Sequence, residues 1–438
     1  MQCLERFRGR VLRMPATVII GAQWGDEGKG KIVDRLAESA DLVVRYAGGP
    51  NAGHTLVVAG RKVVLRLIPS GALHPHTLCL LGQGMVISPE TLLEELDGLA
   101  EYGVALGHRM LLSRQAHLIL PYHVLVDELR EGSEAGTKIG TTKRGIGPCY
   151  EDKVGRRGVR VGDLEKPAVL RAKVSEALNN WRPTIQALGG TAPDLEAVCD
   201  RILRTADRIV PLLGDVSARL ETELAAGKRA MLEGAQGTML DIDNGTYPFV
   251  TSSSAVAGGA CTGAGIGPTR IDRVLGITKA YTTRVGAGPF PTELDDDAGH
   301  HLRNVGHEFG SVTGRPRRTG WLDLAALRYA RRVNGIDGLA LTKLDVLSGL
   351  DVIKVCVGYR TPDGESLELS PDLADATPVY TSLPGWKEPL RAARAIEELP
   401  TAVRRYLEFV ETTAELGIDI VSVGPGRDET IELRSGLA

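Results

Sequence analysis

The stretch Ala16–Leu56, ATVIIGAQWGDEGKGKIVDRLAESADLVVRYAGGPNAGHTL, decides the fold. Its β-branched run from Thr17 to Ile20 predicts a buried strand that breaks at Gly21 into a glycine-spaced turn carrying Asp26, Glu27, Lys29 and Lys31. A helix is expected from Ile32 to Ala37. Strand, glycine loop and helix N-terminus together make a phosphate cradle: glycines let backbone N–H groups approach an anion, the helix dipole favours it, and a lysine neutralises it. The cradle departs from the standard G-x-x-x-x-G-K-[ST] loop, because Gln23 stands where glycine is required and Gly30 where a hydroxyl would ligate magnesium. Asp26 is the nearest oxygen that can take over that metal.

A second apolar strand, Leu42 to Tyr46, leads into GGPNAGHT, Gly48 to Thr55. In a parallel sheet, loops at the carboxyl ends of neighbouring strands face one crevice, so this loop brings His54 toward phosphates held by the first.

With 438 residues, 43% hydrophobic and 24% charged, the chain can bury a large core. A net charge of −3 gives no case for nucleic-acid or anionic-membrane binding. No apolar run approaches the roughly 20 residues of a spanning helix. Cys3, Cys79, Cys149, Cys199, Cys261 and Cys356 are scattered without a C-x-x-C pair, which predicts reduced thiols in a soluble cytoplasmic protein. Residues 1–13 read as a non-essential extension, and 14–438 as one large domain with subdomains, or two, with a helical insertion at about 167–227.

Along the chain, a hairpin is expected at Leu56–Val58 and Val63–Leu67, then strands at Thr77–Leu81 and Met110–Leu112 around a helix from Pro89 to Gly103. Such alternation predicts an α/β fold with a large central, mostly parallel β-sheet flanked by helices. HLILPYH ends a strand and starts a helix through Leu129, with His117 and His123 structural. Residues Glu134–Arg160 are too polar for core and predict a surface loop, in which Thr141, Thr142, Arg144, Arg156 and Arg157 suit a phosphate monoester. Pro167–Ala226 read as helical hairpins without chemistry, and the sheet resumes at Arg229–Leu232. Gln236 and Thr251 follow in glycine- and serine-rich turns, and Ala255–Gly267 is taken as close backbone packing near the nucleotide.

After a strand at Asp272–Tyr281, the segment GHEFGSVTGRPRRTGWLDL, Gly306–Leu324, places Arg315, Arg317 and Arg318 beside Thr313, ahead of a helix beginning near Leu322. These guanidiniums suit an acidic second substrate. The strand Gly338–Leu341 ends in TKLD, where the Asp345 carboxylate can accept from guanine N1–H and the 2-amino group while the Lys343 stem lies on the base. An unmatched buried carboxylate costs about 1–3 kcal/mol, so this favours GTP over ATP. Strands at Val352–Gly358 and Ser366–Leu369, a helix from Leu390 to Glu415 split by Pro400, and a strand running into Ser422-Val423-Gly424 complete the chain.

GDEGKGK followed by NAGHT, IGTTKRGIGP…EDK…R, TGRPRRTGWLD, TKLD and the closing SVGPGRDE resemble the adenylosuccinate synthetase family, in order and over nearly the whole length from Pro15. The resemblance implies GTP-dependent joining of L-aspartate to IMP through a 6-phosphoryl-IMP intermediate, in AMP synthesis. It implies Asp26 as the base taking the N1 proton, with His54, Lys29 and Gln236 in the chemistry, and Mg2+ on Asp26 and the Gly53 carbonyl. For GTP it implies Gly25, Glu27, Gly28, Lys29, Gly30 and Lys31; then Gly53, His54, Thr55 and Arg317; and, around guanine, Lys343, Leu344, Asp345, Ser422, Val423 and Gly424. IMP is expected at Asp26, Asn51, Thr142, Arg144, Gln236, Thr251 and Arg315, with Arg156 reaching the neighbour's site in a homodimer. Aspartate is expected at Ser311, Val312, Thr313, Gly314, Arg315 and Arg317, although Val312 departs from members with threonine there. A GTPase switch or a nucleotide-binding scaffold is the alternative reading. Deletion of residues 1–13 is expected to leave activity intact, and a soluble but inactive truncation would refute that.

Overall fold

The computed structural model describes residues 16–51, 53–58, 61–133, 138–310, 314, 316–361, 364–369 and 373–434, with the backbone alone for 54–58 and 61–63. The first strand, β1 (Ala16–Gly21), is fully buried because its side chains serve two faces. Val18 and Ile20 join one apolar cluster, while Ile19 packs on the other side with Ile32, Val33 and Leu36 of helix α1 (Lys29–Leu36). A strand apolar on both faces belongs inside a parallel sheet.

The remaining sheet strands in chain order are β2 (Leu42–Arg45), β3 (Leu78–Leu81), β4 (Met110–Ser113), β5 (Leu213–Gly214), β6 (Ala230–Glu233), β7 (Arg273–Lys279), β8 (Gly338–Thr342), β9 (Ile418–Ser422) and β10 (Thr430–Glu432). Among the described residues they form one sheet of 10 strands, in the order β10-β9-β8-β7-β1-β6-β2-β3-β4-β5. All neighbours pair in parallel except β9 with β10. Strand order reverses around β1, so the carboxyl ends of β1, β2, β6, β7, β8 and β9 empty into one crevice, where α/β proteins hold ligands.

A smaller sheet, Val352–Thr361 with Gly364–Ser366 and Thr377–Pro384, lies beside the main one; its last strand was not anticipated. The expected insertion contains helices Pro167–Ala187, Leu195–Leu203 and Val216–Ala225, but Leu213–Gly214 returns to edge the main sheet beside β4. The first two of these helices and β4 share a second apolar core built on Leu112, Leu170, Leu178 and Trp181, while Val216, Leu220 and Leu224 of the third pack into the main one. No helix among the described residues is long and apolar enough to cross a membrane.

Three expectations require correction. The polar stretch after Glu134 is not all surface loop: Ile146–Val154 is a helix with Cys149, Tyr150 and Asp152 buried. Its burial is possible because the Tyr150 hydroxyl donates to the Gly84 carbonyl at 2.8 Å and accepts from the Gly48 N–H at 3.0 Å. Ala255–Gly267 contains a helix, Gly258–Ala264, and does not line the crevice; Gly263 meets the Tyr46 carbonyl so closely that an added Cβ would stand 2.1 Å away. The helix expected from Leu390 starts only at Thr401, after Pro400, and runs to Ala414. Proline at the boundary supplies the fixed φ that starts a helix.

Candidate active site

The crevice encloses about 1420 Å³, more than the ~300–1,000 Å³ of a pocket for one drug-sized ligand, and so has room for several substrates. At its floor lies the loop between β1 and α1. Gly28 adopts φ 92°, which favours glycine, and caps α1 without any side-chain hydrogen bond, leaving the first N–H groups of α1 free for an anion. Glu27 is turned away from the crevice: fully buried, it accepts from the N–H groups of Gln23 at 3.1 Å and Gly25 at 2.8 Å and from Lys29 Nζ at 2.5 Å. An added Cβ at Gly21 would lie 2.4 Å from that carboxylate, so the strand must end in glycine for Glu27 to fit.

Asp26 stands over this cradle with φ 57° and lines the crevice. Arg317 Nε lies 2.8 Å from Asp26 Oδ2 as an ion pair rather than an aligned hydrogen bond, since Nε has no acceptor in bonding geometry. Gly25, Gly28, Lys29, Gly30, Lys31, Asn51 and Gly53 share the same wall. His54 opens a hairpin, His54–Val58 with Arg61–Leu65, directly after Gly53; its side chain and that of Thr55 lie outside the described atoms.

The residues expected around the purines arrive from several strand ends. Lys343, Asp345, Ser422 and Gly424 line the crevice, whereas Leu344 and Val423 have fully buried side chains and can offer only backbone. Asp345 pairs with Arg391 at 3.5 Å. Gln236 lines the opposite wall with φ 59°, and its Oε1 is buried without a partner, an acceptor aimed where a ligand donor can satisfy it. Thr142 and Thr251 line it too, the latter 3.2 Å from Ser253 Oγ. Arg144 and Arg156 do not line it: Arg144 Nη1 donates to the Pro50 carbonyl at 2.9 Å, and Arg156, φ 62°, is exposed after its helix. Of the aspartate-loop residues, Ser311, Val312, Thr313 and Arg315 lie outside the described residues, while Gly314, φ 64°, and Arg317 are described.

Several site-building groups escaped sequence reading. Asp127 accepts from Thr141 Oγ1 at 2.8 Å and the Gly145 N–H at 2.9 Å, and Glu131 accepts from the Gly140 N–H at 3.1 Å. The i,i+4 spacing of these carboxylates on helix Pro121–Gly132 was the available signal. His123 and Asp152 form a buried pair at 2.9 Å, bearing out the structural role expected of His123.

No group of three or more His, Cys, Asp or Glu side chains able to hold a metal occurs among the described residues. One carboxylate, Asp26, in the crevice that Gly53 also lines, fits a magnesium ion held largely by substrate phosphates and water rather than by a protein cage.

A doubly wound parallel sheet whose strand ends and the uncapped start of α1 open on one crevice defines the class: an α/β protein of nucleotide-binding type. The family model described as adenylosuccinate synthetase matches residues 18–431. The adenylosuccinate synthetase of Sorangium cellulosum is 60% identical over 97% of this chain and all of its own length, and that of Burkholderia pseudomallei is 53% identical over 95% and 96%. The solved structure of the fully ligated Plasmodium falciparum adenylosuccinate synthetase superposes with a TM-score of 0.90 at 39% identity, over 95% of this chain and 99% of that one. The chain belongs to the adenylosuccinate synthetase family and is a GTP-dependent ligase joining L-aspartate to IMP in AMP synthesis. The switch and scaffold alternatives gain no support from these likenesses.

Lys31 ties α1 to the last loop, donating to Ser422 Oγ at 2.6 Å, the Gly424 carbonyl at 2.7 Å and the Glu429 carbonyl at 3.0 Å. Burial lowers its pKa from 10.5 to about 8, against the pull of Glu429 and Asp345. Above that pH a neutral amine has two N–H groups for three acceptors, so the loop loosens. The folded chain then holds fewer protons than the unfolded chain between pH 8 and 10.5, so the penalty for burying the ammonium is relieved as pH rises. GTP affinity and this contribution to stability should therefore move in opposite directions. The KM for GTP is expected to rise about eightfold between about pH 7.5 and 9 if only the protonated form binds. Lys31→Met should flatten the profile; an unchanged slope in that variant would refute the assignment.

Proposed function

We propose that the crevice performs the ligation in two transfers, with Asp26 and His54 flanking the first. The hydroxyl-like oxygen at C6 of a purine is a poor leaving group, so it is first made into a phosphate ester. Asp26 takes the N1 proton of IMP as O6 attacks the γ-phosphoryl of GTP, the O6–P bond forms and the bond to GDP breaks. The amino group of aspartate then bonds to C6 and inorganic phosphate leaves with the O6–C6 electrons. The observation that carries this reading is the placement of Asp26 and Arg317 together above the uncapped end of α1, in the same crevice as Lys343 and Asp345.

An ordinary carboxylate is a weak base, with a reference pKa of about 3.9, so Asp26 works through positioning more than proton affinity. His54 donates to the transferring phosphoryl and stabilises its charge. Lys29, already held by Glu27, neutralises phosphate from beneath the loop. Asp26 and the Gly53 carbonyl would hold Mg2+, which when bound neutralises charge between the phosphates. Asn51, Thr142, Arg144, Gln236 and Thr251 orient IMP, and the loop from Ser311 through Val312, Thr313, Gly314 and Arg315 to Arg317 clamps the aspartate carboxylates, with Arg315 bridging the two substrates.

Arg156 completes the IMP-phosphate site of a second copy, making the protein a homodimer; its exposed position and φ 62° just past a helix end support that reach. A cytoplasmic setting accords with the free thiols of Cys79, Cys149, Cys199, Cys261 and Cys356.

GDP release should require IMP and aspartate together, and GTP turnover without them would count against the ligase mechanism. Asp26→Asn and His54→Asn should each lower kcat by about 10²–10⁴-fold, the usual weight of an acid–base group, with the fold retained by circular dichroism. Near-normal turnover in either removes that residue from the chemistry. Mixing Asp26→Asn with Arg156→Leu subunits should restore part of the activity through one intact site per mixed dimer. Proven subunit exchange without recovery would argue against the shared site.

A further inference from the structure

The arginine loop leaves helix Asp297–Val305 at Gly306 and returns at Arg317, and Glu308 sits at its base. This side chain is fully buried, yet cationic groups converge on its carboxylate. Lys279 Nζ donates to Oε1 at 2.8 Å, the Tyr281 hydroxyl donates to the same oxygen at 2.5 Å, and Arg317 Nη1 donates to Oε2 at 2.7 Å. Lys343 Nζ stands 3.9 Å from Oε1 and donates to the Gly306 carbonyl at 2.7 Å. Lys279, at the carboxyl end of β7, is 1% exposed and also donates to Thr283 Oγ1 at 2.8 Å. The backbone closes the base: the Arg317 N–H donates to the Glu308 carbonyl at 2.9 Å.

Burial pushes the Glu308 carboxyl up, but Lys279, Lys343 and Arg317 outweigh it and hold the group at about 2, so it is ionised at every working pH. Buried ionic clusters are expensive ways to hold a fold, because well-packed apolar side chains do so at no greater cost. This one reaches the crevice through Lys343 and through Arg317, whose guanidinium is shared between Glu308 and Asp26. With Nη1 committed to Glu308, the plane of the fork is set and the guanidinium is held as an ion pair against Asp26, Nε 2.8 Å from Oδ2.

We propose that Glu308 is a positioning residue for phosphoryl transfer: braced by Lys279 and Tyr281, it fixes the Arg317 guanidinium against Asp26 and ties the arginine loop to the strand end that carries Lys343. This deepens the reading above and rests on Asp26 and Arg317 acting in the transfer. Loss of the brace misplaces Arg317 by an ångström or so, a displacement that costs on the order of 10²-fold in rate.

The test uses the full-length enzyme with GTP, IMP, aspartate and Mg2+ at saturation. Glu308→Gln should lower kcat about 100-fold while KM for IMP changes less than about threefold, since the groups expected at the IMP phosphate lie elsewhere. Arg317→Lys should fall similarly, and the double variant no further than Arg317→Lys alone, because Glu308 acts through Arg317. Multiplying losses would overturn the proposal. A crippled Arg317→Lys beside an active Glu308→Gln would overturn it and leave the underlying reading standing; an active Arg317→Lys would overturn both. Lys279→Met/Glu308→Gln removes both buried charges and serves where Glu308→Gln alone unfolds. Wild-type-like thermal unfolding with kcat still depressed supports positioning, and a restored kcat shows that the cluster only holds the fold.

Discussion

One buried carboxylate, Glu27, holds the loop on which the crevice is built. Its oxygens gather the N–H groups of Gln23 and Gly25 and the Lys29 ammonium, and its own carbonyl accepts from Thr342 Oγ1 at 2.6 Å. Gln23 extends the tie sideways, donating to the Tyr281 carbonyl at 3.1 Å and accepting from the Lys279 N–H at 3.0 Å. The loop between β1 and α1 is thereby fastened to β7 and β8 by the protein's own groups. Taking either member of the Glu27–Lys29 pair away would strand a buried charge, a loss of about 3–5 kcal/mol by analogy with other buried pairs. Preorganisation of this kind lets binding free energy go into the reaction instead of into ordering the loop.

Strain collects where chemistry is expected. The non-glycine residues with positive φ among those described are Asp26, Lys143, Arg156, Gln236, His307, Lys343 and Glu415. Asp26, Gln236, His307 and Lys343 line the crevice, and Glu415 merely ends a helix. Each left-handed residue costs about 1–3 kcal/mol, which the ten-stranded sheet beneath must over-determine. The gain is direction: a left-handed residue at a strand end swings its side chain out of the pleat and over the ligand.

The parts legible in the sequence are those with a local cause. The β-branched run before Gly21, the lysine-glycine loop and TKLD announce themselves because strand, turn and helix start are written in adjacent residues. The helix Ile146–Val154 was hidden because its glycine- and charge-rich composition argues for a loop, and its burial depends on Gly48 and Gly84, about a hundred and about 66 residues away, satisfying Tyr150. The brace on Arg317 was equally hidden: Lys279 and Glu308 lie 29 residues apart, and each alone reads as a solvated charge. The segment after Leu390 failed for the opposite reason, since its helical composition is overruled by a path of turns, with a single 3₁₀ turn at Ile396–Glu398, that brings Arg391 to Asp345.

Helix α1 also ties two parts of the crevice wall together. Its N-terminus faces the phosphate cradle, while Lys31 and Asp34, three positions apart and so on one face, both grip the loop that follows β9. Lys31 holds Ser422 and Gly424 from below, and Asp34 takes the Arg427 guanidinium through two bonds of 2.8 Å while its backbone carbonyl lies 3.0 Å from His74 Nε2. Bidentate pairs of this geometry resist rotation as well as separation. An eight-residue helix is too short to flex between its ends. Any shift of α1 toward an anion must therefore carry the loop at Ser422–Gly424 with it, so the wall beside Asp345 moves with the phosphate cradle as one rigid part.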